Sequence, residues 1–221
     1  MIELNNVTKR YGSSRNPVYA LKDVSLKIGS GEFICITGKS GCGKTTLLNL
    51  IAGMISPTEG EIIYDGQLKS DDRKRVLRYR GEKIGMILQD HSLLYDRTVF
   101  SNVELPLLIK KEKPDERKKK VLDWLNRVGM ADKIHAYPDQ LSGGQQQRVA
   151  IARAMVGGAD IVLADEPTGS LDEENAYSVV SHLKCLVNDG KTVVMVTHDL
   201  DLTEMCDRHI QMKNGIIVSD T

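Results

Sequence analysis

The run Gly38-Lys39-Ser40-Gly41-Cys42-Gly43-Lys44-Thr45 fits G-x-x-x-x-G-K-[ST]. It stands between an apolar stretch of strand length, Phe33 to Thr37, and a helical pattern that begins near Lys44. Glycines let such a loop wrap closely around phosphate oxygens while its N–H groups point inward. The helix start adds roughly half a positive charge at the same place. Lys44 is the residue to reach the outer phosphates, and Thr45 offers a hydroxyl to a divalent cation. Gly38, Lys39, Ser40, Gly41, Cys42, Gly43, Lys44, Thr45 and Thr46 are the candidate phosphate contacts. Cys42 is a candidate for reaction with alkylating agents, set against the plainer reading of a tolerated small residue.

Two further places carry chemistry. Ile161-Val162-Leu163-Ala164-Asp165-Glu166 puts two carboxylates at the C-terminal end of a buried strand, where open α/β sheets bind ligands. Neighbouring residues there point in different directions, so Asp165 can serve a cation while Glu166 accepts a proton from an attacking water. Leu141-Ser142-Gly143-Gly144-Gln145 precedes the helical run Gln146 to Met155 and forms a second flexible helix start with exposed N–H groups. A plain N-cap by Ser142 is the structural alternative.

Elements must hold these residues together. Short β-rich runs alternate with longer helical patterns, which predicts an α/β fold with a parallel sheet at its centre. Ile2-Glu3-Leu4, Ala20 to Ile28 and Glu61 to Tyr64 read as strands of a small antiparallel sheet. A helix over Lys44 to Ala52 ends at Gly53, and a strand follows at Ile84 to Leu88. The stretch 92–157 reads as a helical insert, with Pro114-Asp115-Glu116 opening one helix. Ile161 to Ala164 and Thr192 to Val196 are continuous apolar runs, as expected of strands covered on both faces. Asn214-Gly215 closes a hairpin between His209 to Met212 and Ile216 to Ser219.

The 221 residues, 41% hydrophobic and 27% charged, suit one domain over 1–221. Thirty basic residues balance thirty acidic ones. That leaves no overall field for nucleic acid, and the Lys-rich run Lys110 to Lys120 reads as a solvated helix face. No run approaches the ~20 apolar residues of a membrane helix, and the first residues lack a secretory pattern, which predicts the cytoplasm. The four cysteines show no metal-ligand spacing and read as free thiols.

Leu141 to Gln145 resembles the signature of ATP-binding cassette (ABC) ATPases, and other motifs agree in order along the chain. Tyr11 in Lys9-Arg10-Tyr11-Gly12 is similar to the adenine-stacking aromatic, a contact worth about 1–3 kcal/mol. Gln89 is similar to the glutamine-loop residue, although many members carry Phe where Leu88 stands. Ser170-Leu171-Asp172 resembles the dimer-contacting D-loop, and His198, after the strand Thr192 to Val196, resembles the switch histidine. The resemblance implies a P-loop NTPase core that binds ATP with Mg2+. Glu166, His198, Gln89 and Lys44 would be catalytic, and Thr45, Gln89 and Asp165 would hold the cation. Ser142, Gly143 and Gly144 would close over ATP held by a second copy, head to tail, and Asp172 would join the nucleotide contacts. It also implies a separate membrane permease, with this chain on the cytoplasmic side of the membrane. The segment after Gln89 is the expected docking place. More narrowly, the spacer Ser13 to Val18 and the run Leu163 to Asp172 are similar to the macrolide-export and lipoprotein-release subfamily, with the cell-division ATPase of the FtsE type next. The first implies export or extraction of a hydrophobic or peptide-like substrate; the second implies signalling without transport.

Overall fold

The computed structural model describes residues 1–13 and 16–221, so part of the spacer Ser13 to Val18 lies outside the described residues. Strands β1 (Ile2–Tyr11), β2 (Val18–Ile28), β4 (Glu59–Tyr64) and β5 (Leu68–Lys69) form an antiparallel sheet in the order β2-β1-β4-β5. β1 outruns the predicted Ile2-Glu3-Leu4 because its register shifts between Leu4 and Val7, where Asn6 adopts φ 51°, and pairing then resumes as far as Tyr11. A bulge of this kind breaks the period-2 pattern that a strand otherwise shows.

The larger sheet holds β3 (Phe33–Thr37), β6 (Ile84–Ile87), β7 (Ile161–Asp165), β8 (Thr192–Val196), β9 (Arg208–Lys213) and β10 (Ile216–Asp220), in the order β10-β9-β3-β8-β7-β6. Only the β9–β10 hairpin is antiparallel; the remaining pairs are parallel. Asn214 and Gly215 turn that hairpin with φ 50° and 81°, as a type I′ turn requires. Residues of β3, β7 and β8 alternate between two cores. Phe33, Cys35, Val162, Ala164, Val193 and Met195 face one side, while Ile34, Ile36, Ile161, Leu163, Val194 and Val196 face the other. Each of these strands is therefore apolar at nearly every position.

One core is covered by α3 (Val99–Ile109), α4 (Pro114–Arg127), α5 (Gly143–Met155) and α6 (Glu173–Asn188). The other is covered by α1 (Lys44–Ile51) and the antiparallel sheet, with α2 (Arg73–Lys83) on its flank. Gly53, at φ 64°, lets the chain leave α1. α5 starts at Gly143 rather than Gln146, because Ser142 caps it: its hydroxyl accepts from the Gln145 amide, and the Gln145 side chain accepts from the Ser142 amide. All four cysteines are free thiols.

Candidate functional site

The sheet register sets the site. Ile36 pairs with Val196, Asp165 with Val196, and Ile87 with Ala164, so β3, β6, β7 and β8 end along one edge. The loops that leave this edge carry Gly38 to Thr45, Gln89, Glu166 and His198. In the first loop, Gly43 adopts φ 108° and any Cβ there would strike the Ala20 carbonyl, so the position requires glycine. Lys44 is buried, and its Nζ donates to the carbonyls of Gly38 at 2.8 Å and Lys39 at 3.3 Å. The ammonium thus folds back over its own loop, on the side where phosphates would lie. Cys42 is buried, which matches the reading of a tolerated small residue and leaves little thiol surface for alkylation.

Thr45 Oγ1 lies 3.3 Å from Asp165 Oδ1, which joins the helix start to the strand end. Burial pushes the Asp165 carboxyl above its ordinary range; the nearby Glu166 adds to the shift, while Thr45 and Lys44 oppose it. A half-buried carboxylate short of positive charge, beside a hydroxyl, is an oxygen donor set suited to a hard divalent cation that also binds phosphates. Among the described residues no cluster of three or more His, Cys, Asp or Glu could hold a metal ion.

Glu166 follows β7 directly. Its amide donates to the Val196 carbonyl, and its backbone sits at φ 45°, uncommon for a residue with a side chain. This geometry turns its carboxylate toward His198, whose Nδ1 is 3.5 Å from Glu166 Oε2. Gln89 reaches the same place: a Cβ on Gly169 would lie 3.3 Å from Gln89 Nε2 and 3.6 Å from Glu166 Oε2. Glu166, His198, Gln89, Asp165, Thr45 and Lys44 therefore share one edge, as their order in the sequence predicts. Tyr11 ends β1, 44% exposed, with the Lys9 ammonium 5.3 Å from its ring centroid. It pairs with Val18, two residues before Ala20, which abuts Gly43.

Ser142, Gly143 and Gly144 stand apart from this group within the chain. Gly143 packs on Leu171 and Gly144 on Asn175, and among the described residues no hydrogen bond joins them to Gly38 to Thr45. The capping box uses the amides of Ser142 and Gln145 and leaves those of Gly143 and Gly144, the other donors of the first turn, without acceptors among the described residues. Asp172 caps α6 by accepting from the Asn175 amide and side chain, which lowers its pKa. Asp172 thereby fixes the Asn175 side chain against which Gly144 rests.

Two residues that hold this site carry no sequence signal. Arg153 on α5 donates to the carbonyls of His91 at 2.7 Å and Ser92 at 2.6 Å, anchoring the turn after Gln89. Fully buried Asn102 clamps the next stretch: its Nδ2 donates to the carbonyls of Leu94, Arg97 and Thr98, and its Oδ1 accepts from the Leu94 amide. A lone Asn in an apolar helix and one Arg among many are visible as partners only once the loop is folded.

A glycine-rich loop at a helix start, a carboxylate pair at the end of a parallel strand and a histidine on the neighbouring strand define a P-loop nucleotide hydrolase with an α/β core. The family model described as ABC transporter matches residues 21–169. The ATP-binding protein MJ0796 of Methanocaldococcus jannaschii is 44% identical, over 97% of this chain and 94% of its own length. Its dimeric post-hydrolysis structure with ADP and Pi superposes with a TM-score of 0.91, at 42% identity, across 100% of this chain and 98% of that one. The ATP-binding protein YtrE of Bacillus subtilis is 46% identical over 91% of this chain and 88% of its own. The macrolide export ATP-binding/permease protein MacB of Pasteurella multocida is 42% identical over 100% of this chain but only 34% of its own length. The chain belongs to the ABC transporter family. As a member of that family it is an ATP-binding ATPase subunit.

Proposed function

We propose that the whole chain acts as one nucleotide-binding unit, and that two copies close head to tail over two ATP molecules. One observation carries this reading: Lys44, Thr45, Asp165, Glu166, Gln89 and His198 converge on one sheet edge, while the free amides of Gly143 and Gly144 sit elsewhere on the same chain. A second copy brings its signature to that edge. The loop amides of residues 38–45 and Lys44 orient the phosphates, and Tyr11 stacks on the base. A divalent cation held by Thr45, Gln89 and Asp165 would neutralise charge on the transferring phosphoryl group. Glu166 accepts the proton of the attacking water, and His198 holds that carboxylate and the γ-phosphate in line. Gln89 senses the γ-phosphate. Ser142, Gly143 and Gly144 of the second copy close the site from the far side, and Asp172 orders the facing α6.

The cargo reading is export or extraction of a hydrophobic or peptide-like molecule, supported by the MacB relatives, which are named for macrolide export. Among the described residues no helix is long and apolar enough to cross a membrane. We assign this chain to the cytoplasmic face, held there by a permease. The segment after Gln89 is the docking place, extended by a groove of about 270 Å³ lined by Gly81, Met86, Pro106, Ile109, Arg153 and Gly157. Ile109 on the groove, 74% exposed, and Tyr95 in the segment after Gln89, 57% exposed, offer apolar surface to a permease segment. Arg153, which lines this groove, donates to the carbonyls of His91 and Ser92 and so joins the groove to the turn after Gln89. In proteoliposomes holding the permease and this chain, flux should require ATP and vanish with Lys44→Ala. Nucleotide-dependent permease rearrangement without flux would replace transport with signalling.

A further inference from the structure

The chain is neutral overall, yet six of the eleven residues of α2 are Lys or Arg against one Glu. Its buried side is thin: Val76 alone is fully inside, and Tyr79 leans on Tyr64 with ring centroids 5.1 Å apart. Opposite that side, Lys74, Arg75 and Arg78 are exposed, the last two side chains at 67% and 81%. Arg75 meets Asp72 at a loose 3.8 Å, Arg78 meets Glu82 at 3.0 Å, and Lys74 has no ion-pair partner among the described residues. Leu77 is 46% exposed on the same side. Met54, also exposed, lies on the segment that packs under α2, where Gly53 abuts Val76 and Arg73 donates to Ser56.

The i, i+4, i+7 spacing sets Lys74, Arg78 and Gly81 on one stripe of the helix. Gly81 and Glu82 line the groove assigned above to the permease. The basic face therefore continues from that groove, in a protein whose partner is embedded in a bilayer. We propose that the exposed face of α2 binds anionic phospholipid headgroups of the membrane surface beside the permease. The proposal rests on the groove facing that permease. A leucine exposed among basic side chains suits the boundary between headgroups and acyl chains better than a purely acidic protein surface. Each Lys or Arg held near an anionic leaflet strengthens binding about fivefold.

The test is co-sedimentation of the full chain, without nucleotide or permease, with vesicles of phosphatidylcholine alone or with added phosphatidylglycerol. Binding should require phosphatidylglycerol and weaken as salt rises. The triple variant Lys74→Gln, Arg75→Gln, Arg78→Gln should lose about a hundredfold in affinity. Lys113→Gln, Lys118→Gln, Lys119→Gln, which removes equal charge from the start of α4 and its first turns, should bind as the parent does. ATP turnover of both triples should match the parent, showing that they are folded. No binding by the parent overturns the proposal, as does equal loss in both triples. It is equally overturned if the α2 triple keeps its vesicle binding but loses permease association in detergent, which would make the face protein-binding. Failure of ATP hydrolysis or flux would instead strike the functional reading and leave the vesicle result standing.

Discussion

Glu166 offers a prediction that separates strain from chemistry. Its backbone at φ 45° lies in the left-handed region, where a residue with a side chain stores about 1–3 kcal/mol. Replacing it with glycine removes that strain and adds about 0.5–1 kcal/mol of unfolded-state entropy. The contact with His198, whose side chain is 64% exposed, contributes little. Glu166→Gly should therefore gain about 1 kcal/mol, a rise of roughly 2–4 °C in Tm for a chain of this size. Glu166→Gln keeps both the strained backbone and the side-chain shape, so it should lack that gain. Both should lose about 10²–10⁴-fold in turnover, the usual contribution of a positioned general base. The assays are thermal unfolding of the ATP-free variants and steady-state phosphate release. A Tm for Glu166→Gly at or below that of Glu166→Gln would refute the strain argument, and Glu166→Gln turnover within tenfold of the parent would remove Glu166 as the base.

Other perturbations follow from the same geometry. The Asp165 pKa is raised in the folded state, so its contribution to stability is full at low pH and is lost as the pH rises through that pKa. Asp165→Asn should accordingly raise the Tm of the ATP-free protein at pH 7, with a gain that shrinks on acidification, while abolishing hydrolysis; in the parent, the Mg2+ needed for half-maximal turnover should rise as the pH falls. Gly144→Ala places a Cβ 2.5 Å from Asn175 Oδ1, a side chain held by Asp172. Overpacking should cost about 1–3 kcal/mol of folding stability, and by displacing the amides of Gly143 and Gly144 the substitution should weaken ATP-dependent dimerisation, measured by analytical ultracentrifugation, while leaving ATP binding by the monomer nearly unchanged. Asn102→Ala leaves the Leu94 amide and the Arg97 carbonyl without a partner and removes one of two donors from the carbonyls of Leu94 and Thr98, which keep the backbone amides of Arg97 and residue 102. It should cost about 2–4 kcal/mol, read from the denaturant midpoint at unchanged slope.

Legibility tracked how many neighbours a segment has. β3 and β8 occupy the predicted residues because both faces are buried, so every side chain is apolar and turn residues bound the run. The nucleotide motifs were readable because phosphate binding dictates residue type at fixed spacing, as at Gly43 and Lys44. α2 was invisible to periodicity since Val76 is its single buried residue. β5, with two residues, falls below any periodic signal. The start of α5 was misjudged by three residues because Gly143 and Gly144 weaken the helical pattern that the Ser142–Gln145 capping box restores. Arg153 and Asn102 bond to backbone carbonyls of distant loops, and no local pattern announces a partner that only the fold supplies.

The central claim is that each ATP is held by the Lys44 loop of one copy and the Ser142 helix start of the other. Ser142→Asp keeps an N-cap acceptor while placing a carboxylate against the γ-phosphate, and Lys44→Ala removes the phosphate contact. In a Glu166→Gln background, neither variant alone should dimerise on ATP. Mixed, they should form a dimer with one ATP, because one composite site carries both lesions and the other carries none. A mixture that behaves like either variant alone would contradict the shared site.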